Sequence, residues 1–488
     1  MSYVLFALYI LSSCLLLVFG FHAYVMIILF RRARGQNREA DAATEADFAA
    51  QARSDEDYPF VTTQIPLFNE YNVAERVIRA VVAMDYPSSR HEIQVLDDST
   101  DDTRELTRRV VADLQAEGVG IVLRLREART GYKAGALQAG LREARGEFIA
   151  IFDSDFVPPA DFLKRTVAHL HAKPEVGLVQ ARWGHLNEED SPLTRAQGLG
   201  VDGHFVIEQP ARSRNGLFMN FCGTAGLWRK ETIDDAGGWQ HDTVTEDLDL
   251  SYRAQLRGWI FHYLPDLVVP AELPPNYQAF KSQQYRWAKG SIQTARKVLP
   301  SLWTARLPLA TKLEGTIHLL QYSIHLFMAI LAFLIWPVQW ALHGEKLALY
   351  QSWIFIGLLI PATLGPSLAY LICLRHAHPA DWRDRFWRIG LLILVGFGIC
   401  LSNARAVLAG LFSSDTTFVR TPKAGASPKG LPYRLPRGVF PYFELSASLY
   451  CLASALWLAG AARFEIIPFV LIYAIGLAMV GWSSLRGT

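Results

Sequence analysis

The chain has 488 residues, 51% hydrophobic and only 19% charged, which is too apolar and too long for one ordinary soluble domain. Its 48 Lys and Arg stand against 46 Asp and Glu, so no excess of positive charge marks it as a partner of nucleic acid. The 5 cysteines show no CxxC or Cys/His cluster of the zinc type; Cys14, Cys373, Cys400 and Cys451 lie in apolar runs, where cysteine acts as a small hydrophobe.

Tyr3 to Phe30 form an almost unbroken apolar run closed by Arg31, Arg32 and Arg34. A bilayer core takes about 20 helical residues, so residues 1–34 are expected to hold a first membrane helix. Positive charge follows the run rather than preceding it, which argues against a signal peptide and places the next segment inside. Residues 35–57 are acidic and alanine-rich and read as a linker or a loose amphipathic helix.

From Tyr58 the pattern changes. Phe60–Ile65, Glu92–Leu96, Ile121–Leu125 and Glu147–Phe152 read as strands, separated by helical stretches at Glu70–Met84, Thr103–Glu117 and Lys133–Ala144. This alternation predicts an α/β domain over residues 58–290 with a mostly parallel sheet and helices on both faces. Ligands of such sheets bind beyond the carboxyl ends of strands. Acidic and turn-forming residues stand there: Asn69-Glu70 after the first strand, Asp97-Asp98 after the second, Asp153-Ser154-Asp155 after the fourth.

Asp153 and Asp155 are alternate residues at a strand end, which would aim both carboxylates at one point; hard oxygens so spaced suit Mg2+ or Mn2+ shared with a phosphate. Taken alone, the pair reads equally as a loop capping the next helix. Thr245-Glu246-Asp247 opens a helical stretch. It is either an ordinary N-cap with acids favoured by the helix dipole or the place of a general base, Asp247, for a displacement at an anomeric carbon. Gln283-x-x-Arg286-Trp287 offers a guanidinium fork for a diphosphate and a flat ring for a sugar; a basic-aromatic anchor near a membrane would look similar.

Residues 288–312 read as an interface helix, with Ile292, Ala295, Leu299 and Leu302 on one face and Lys289, Arg296, Lys297 and Arg306 reaching for headgroups. Two spans are expected within 316–374 and two within 439–484. Residues 387–412 are apolar but interrupted by Asn403 and Arg405, and arginines or lysines crowd the loops on both sides. Both flanks then lie inside, so this stretch enters and returns or lies in the interface, giving five spans; a sixth true span is the alternative.

Taken in order, Asp97-Asp98, Asp153-Ser154-Asp155, Thr245-Glu246-Asp247 and Gln283-x-x-Arg286-Trp287 resemble the D, DxD, TED, QxxRW signature of processive family 2 glycosyltransferases. Gln64-Ile-Pro-Leu-Phe-Asn-Glu70, Gln94-Val-Leu-Asp-Asp-Ser-Thr100, Thr130-Gly-Tyr-Lys-Ala-Gly-Ala-Leu137 and Leu178-Val-Gln-Ala-Arg-Trp183 look closer still to the cellulose synthase-like A glucomannan synthases and their bacterial relatives. The resemblance is dense from Tyr58 to Lys297, and four ordered motifs are far more specific than one. It implies a GT-A domain set among membrane helices, and an inverting enzyme adding hexose from GDP-mannose, GDP-glucose or UDP-glucose to a β-linked mannan, glucomannan or glucan.

Carried over by position, Glu70, Asp97, Asp98, Lys133, Asp153, Gln283 and Arg286 would bind the donor, Asp153 and Asp155 the Mg2+ or Mn2+, and Asp247 would be the base. Cys222, Gly223, Glu246 and Trp287 would face the acceptor, although Cys222 reads equally as a buried thiol. Phe418, Arg420, Thr421 and Lys423, within residues 413–438, resemble a gating loop that closes over nucleotide; a basic linker on anionic lipid is the other reading. The expected setting is a multi-pass plasma or inner membrane, or a Golgi membrane in a eukaryote, with the catalytic domain in the cytoplasm. No regulatory domain follows the last span, so a second-messenger switch is not expected. A non-processive, ceramide-type glucosyltransferase and a scaffold or transporter with a degenerate transferase domain are the competing functions. The oligomeric state is not legible.

Overall fold

The structure, a computed structural model, describes residues 2–33, 38–341, 347–417 and 438–486; the gating-loop residues Phe418, Arg420, Thr421 and Lys423 lie outside them. A long apolar helix, α1 (Ser2–Ala33), and a polar one, α2 (Arg38–Gln51), precede seven strands: β1 (Val61–Leu67), β2 (His91–Asp97), β3 (Ile121–Leu125), β4 (Phe148–Ile151), β5 (Val176–His185), β6 (Gly226–Arg229) and β7 (Ile260–Ala271). They form one sheet in the order β3-β2-β1-β4-β6-β5-β7. β1, β2, β3 and β4 run parallel, β6 is antiparallel to β4 and β5, and β7 returns parallel to β5.

The sheet is therefore mixed, and β5 to β7 have no counterpart among the expected strands. Alternation explains its double cover. Phe148, Ala150 and Phe152 enter one buried cluster while Ile149 and Ile151 enter the other, so both faces need helices. Pro66 is tolerated in this central strand because the register between β1 and β4 ends at Gln64 and Ile151, before its missing N–H would be wanted.

Helices α3 (Ala74–Val82), α4 (Thr103–Ala116), α5 (Tyr132–Glu143) and α6 (Phe162–Ala172) link the first five strands; α7 (Pro192–Asp202), α8 (Gln209–Ser213), α9 (Lys230–Asp235) and α10 (Glu246–Leu256) follow. The first begins at Ala74 rather than Glu70, because the Glu70 carbonyl accepts from Val73 N at 3.0 Å and Ala74 N at 2.9 Å and closes a turn instead. The segment read as a linker is α2, a helix docked on the domain through Phe48, which is 6% exposed.

Beyond the sheet come α11 (Tyr277–Thr304), α12 (Leu309–Leu320), α13 (Ser323–Ala341), α14 (Leu347–Ala377), α15 (Trp387–Gly398), α16 (Cys400–Phe412), α17 (Phe440–Gly460) and α18 (Ile467–Arg486). Among the described residues five helices are long and apolar enough to cross a membrane: Val4–Arg32, Ser323–Ala341, Gly357–Ala377, Phe440–Gly460 and Ile467–Arg486. The stretch expected to enter and return is α15 and α16, which meet at 50°, a geometry shared by broken spans and re-entrant loops.

One further boundary moves. The helix expected to start at residue 288 starts at Tyr277, where the Asn276 side chain caps it by accepting from Ala279 N at 2.9 Å. Its cations do not all reach for headgroups. Lys289 pairs with Asp415 at 3.2 Å, Lys297 with Asp242 at 2.7 Å and Asp249 at 3.0 Å, and Arg296 donates to the Gly410 carbonyl at 3.1 Å. Acids and carbonyls from distant segments, invisible to a helical wheel, hold them inside the protein.

Candidate active site

The parallel strands wind outward in both directions from the boundary between β1 and β4, and a crevice opens at the carboxyl ends of strands where such an order reverses. Glu70 follows β1 there and Asp153 follows β4. The loops after β1 and β2 are tied together: Asn69 N donates to Ser99 Oγ at 2.8 Å, and Thr100 N donates to Asn69 Oδ1 at 2.8 Å.

Asp97 and Asp98 part company. Asp97, the last residue of β2, is 1% exposed and accepts from Thr107 Oγ1 at 2.6 Å and Ser99 N at 2.8 Å. Its carboxylate is a buried strut of the turn between β2 and α4. Asp98 points the other way and takes the Arg126 guanidinium on both oxygens, from Nε at 2.9 Å and from Nη2. The same guanidinium donates to the carbonyls of Thr130 and Tyr132, each at 2.9 Å, so it fixes the loop that leads into α5. Asp98 and Arg126 line a cavity of about 80 Å³ with Leu96, Ala136 and Gly140.

Lys133, in the first turn of α5, is the hub. Its Nζ lies 2.5 Å from Asp153 Oδ1 and 4.0 Å from Glu246 Oε1, and donates to the Gly223 carbonyl at 2.9 Å. Asp153 is anchored separately, its N–H donating to Thr224 Oγ1 at 2.9 Å. Asp153-Ser154-Asp155 lies past the end of β4 in a turn, so strand alternation does not set where its two carboxylates point. Asp155 is buried, and its carbonyl accepts from Arg76 Nη2 at 3.5 Å.

Glu246 and Asp247 open α10, where the helix dipole favours anions. Thr245 does not cap this helix with its side chain; its hydroxyl shares a hydrogen bond with Thr294 of α11 at 3.1 Å. Val244 N donates to Gln293 Oε1 at 3.1 Å. α11 approaches so closely at Gly290 that an added Cβ would sit 2.5 Å from Thr245 Cγ2. The acidic turn is therefore clamped to the helix that carries Gln283, Arg286 and Trp287.

The convergence sets the electrostatics of the crevice. Burial lowers the Arg286 guanidinium to about 10, opposed by Glu246, Asp153, Glu70 and Asp247. Burial also depresses the Lys133 ammonium, but Asp153 and Glu246 outweigh it and hold it above its ordinary value. Burial, then the neighbouring charge of Glu246, raises the Asp247 carboxyl to about 7; Glu246 is raised too, chiefly by burial. A carboxyl poised near neutrality beside two cations suits proton transfer next to a bound anion.

Glu70, Lys133, Asp153, Glu246, Asp247 and Arg286 thus meet. Gly223 joins them: its φ is +82°, and an added Cβ would lie 2.9 Å from Asp247 Oδ2 and 3.3 Å from Lys133 Nζ. Cys222 beside it accepts from Gln209 Nε2 and Asn220 Nδ2, each at 3.4 Å, and burial pushes its thiol up. It is a hydrogen-bonded wall, not a reactive sulfur. Gln283 and Trp287 are half-buried on the helix that presents Arg286. Arg126 and Thr224 were missed from sequence. Arg126 stands directly after β3, the position that singled out the acids after the other strands; nothing local distinguishes Thr224.

Residues 59–290 match the family model described as glycosyltransferase like family 2. Glucomannan 4-beta-mannosyltransferase 2 of Arabidopsis thaliana is 45% identical over 246 residues, 50% of this chain and 46% of that protein. Glucomannan 4-beta-mannosyltransferase 1 of Oryza sativa subsp. japonica is 44% identical over 246 residues, 50% of this chain and 47% of that protein. The chain thus spans about half the length of the curated relatives it matches. A mannosyltransferase from Pyrobaculum calidifontis in complex with GDP-Man and Mn2+ is 21% identical, with a TM-score of 0.48 over 80% of this chain and 100% of that one. With its mixed sheet, its crevice and its ordered motifs, the segment 59–290 is similar to family 2 glycosyltransferases, and it is carried among membrane-length helices.

Proposed function

We propose that the chain is an inverting hexosyltransferase that lengthens a β-1,4-linked mannan or glucomannan, taking hexose from GDP-mannose, GDP-glucose or UDP-glucose at the cytoplasmic face of its membrane and passing the product to its apolar helices. The observation that carries this is the meeting of Lys133, Asp153, Glu246, Asp247 and Arg286 at one strand-end crevice. The 45% identity to a glucomannan 4-beta-mannosyltransferase across this domain supports the product class.

Asp247 takes the proton of the acceptor hydroxyl as that oxygen bonds to the anomeric carbon, and the bond from that carbon to the diphosphate breaks on the opposite face. Lys133 and Arg286, with Gln283 beside it, hold the diphosphate, and Glu70 and Asp98 flank the nucleoside. Gly223 and Trp287 border the acceptor sugar. Asp153 and Asp155 offer the hard carboxylate oxygens that Mg2+ or Mn2+ prefers. Asp153 fits that role because its backbone is pinned by Thr224 at the crevice, which holds its carboxylate among the other charged groups there. A divalent ion there supplies neutralisation of the departing diphosphate.

The test uses the full chain in nanodiscs, offered each of the three labelled donors with and without EDTA. A labelled polymer that elutes early on gel filtration and is cut by an endo-β-1,4-mannanase is expected. EDTA abolishes it and excess Mn2+ or Mg2+ restores it. A single labelled sugar on lipid overturns the polymerase, and no transfer from any donor overturns the enzyme. Within the same assay, Arg126→Ala is expected to raise the donor KM about tenfold with kcat within a factor of about three, because it releases Asp98 and the loop before α5 from a bidentate grip.

A further inference from the structure

The side of the domain that receives α2 carries a cluster that takes no part in the chemistry above. α2 presents Asp41 and Glu45, four residues apart and so on one face. Against that face stand His169 of α6 and His262 of β7, their rings stacked with centroids 4.6 Å apart and 24° between planes. His262 Nε2 lies 3.1 Å from Asp41 Oδ1, and His169 Nε2 lies 3.5 Å from Glu45 Oε1. His169 is 2% exposed and that nitrogen has no hydrogen-bond partner. One ligand atom each from Asp41, His169 and His262 falls within 4.8 Å of the others.

The carboxylates are themselves held from outside. Arg165 Nε donates to Glu45 Oε2 at 3.0 Å, and Arg214 Nη2 stands 3.9 Å from Asp41 Oδ2. Glu45 thus gives one oxygen to an arginine and turns the other toward an imidazole, the outer-shell support typical of ligating carboxylates, while Asp41 has an arginine at ion-pair distance behind the oxygen that does not face His262. Each ring offers a nitrogen lone pair as a possible metal ligand. Imidazole with carboxylate favours a borderline cation over the hard ions suited to Asp153 and Asp155. Bonds of about 2.0–2.2 Å in a tetrahedron require the ligand atoms to draw in by roughly 1 Å, which side-chain rotation supplies.

We propose that Asp41, His169 and His262, with Glu45, bind a divalent cation of the Zn2+ class, which fastens α2 to the catalytic domain. The ion would join three segments far apart in sequence, and through α2 it would hold the domain close beneath the first apolar helix.

The full chain in nanodiscs, stripped with chelator and kept in excess Mg2+ to fill any all-oxygen site, is titrated with Zn2+ alone. One tightly held equivalent per chain is expected, and Co2+ in its place gives the visible absorption of a tetrahedral site. Zn2+ raises the apparent unfolding temperature, as any ligand of the folded state does. His262→Ala and Asp41→Asn each weaken Zn2+ binding at least tenfold and remove the temperature shift. Asp41→Asn keeps an oxygen and an amide on half-exposed α2, so it separates loss of the ion from failure to fold. No bound equivalent in the native chain, or equal binding by Asp41→Asn, overturns the proposal.

Discussion

Asp247→Asn is expected to lower transfer by about 10²–10⁴-fold, the range a positioned general base supplies, while donor affinity stays within a factor of about three. Asn keeps the shape and can still accept from Leu248 N, as Asp247 Oδ1 does at 2.8 Å, but it cannot take a proton. Single-turnover transfer beside equilibrium binding of the unreacted donor separates the two effects. Transfer unchanged in the variant removes Asp247 from the role. Because burial and Glu246 raise this carboxyl to about 7, native kcat/KM should climb nearly tenfold per pH unit below that value and level off above it. Stability follows with opposite sense. The folded chain holds this proton up to about 7 and the unfolded chain releases it near 3.8, so the native protein loses stability as pH rises between those values. Asp247→Asn escapes the loss. Its unfolding temperature should match the native one below about pH 4 and exceed it at pH 8.

Gly223→Ala is expected to cost at least about a hundredfold in kcat and little in folding, since a displacement of about 1 Å at the chemistry suffices for such a loss. The left-handed φ of +82° strains any side chain, but the atom that an added Cβ meets at 2.9 Å is the tip of the Asp247 carboxylate. A carboxylate tip can rotate away at modest energy, and the strain alone is on the order of 1 kcal/mol. The base is then misaligned in an otherwise intact fold. Kinetics with donor and acceptor varied separately, beside an unfolding scan, check this. A fall in kcat with a shift of only a few degrees is the expected pattern, and an unchanged kcat sinks the placement of Gly223 beside the base.

The half of the sheet with strictly alternating βα units was legible from periodicity and turn chemistry, and so was the rim where acids gather. The other half was not. β6 is a four-residue strand, Gly226–Arg229, and owes its place to pairing with β4 and β5 rather than to any pattern of its own. Asp97 and Asp98 show the same limit at one residue's resolution. Neighbouring strand-end residues point opposite ways, but which of them faces Thr107 depends on where α4 packs. α2 reads as a linker in the sequence because it has one strong apolar anchor, Phe48, and its remaining grip comes from Arg38, Asp41, Glu45 and partners more than a hundred residues away. The charges on α11 read as lipid-facing in the sequence because a helical wheel does not show Asp242, Asp249 and Asp415.

α11 also decides what can be excised. It has 28 residues, about 42 Å of continuous rod at 1.5 Å per residue, and the family match ends at residue 290, at the glycine where Thr245 rests. A fragment cut at that border retains every strand but ends before Gln293 and Thr294, whose side chains seat the turn that carries Glu246 and Asp247. The smallest unit expected to carry the proposed transfer therefore reaches past its sequence-defined edge, at least through Thr294.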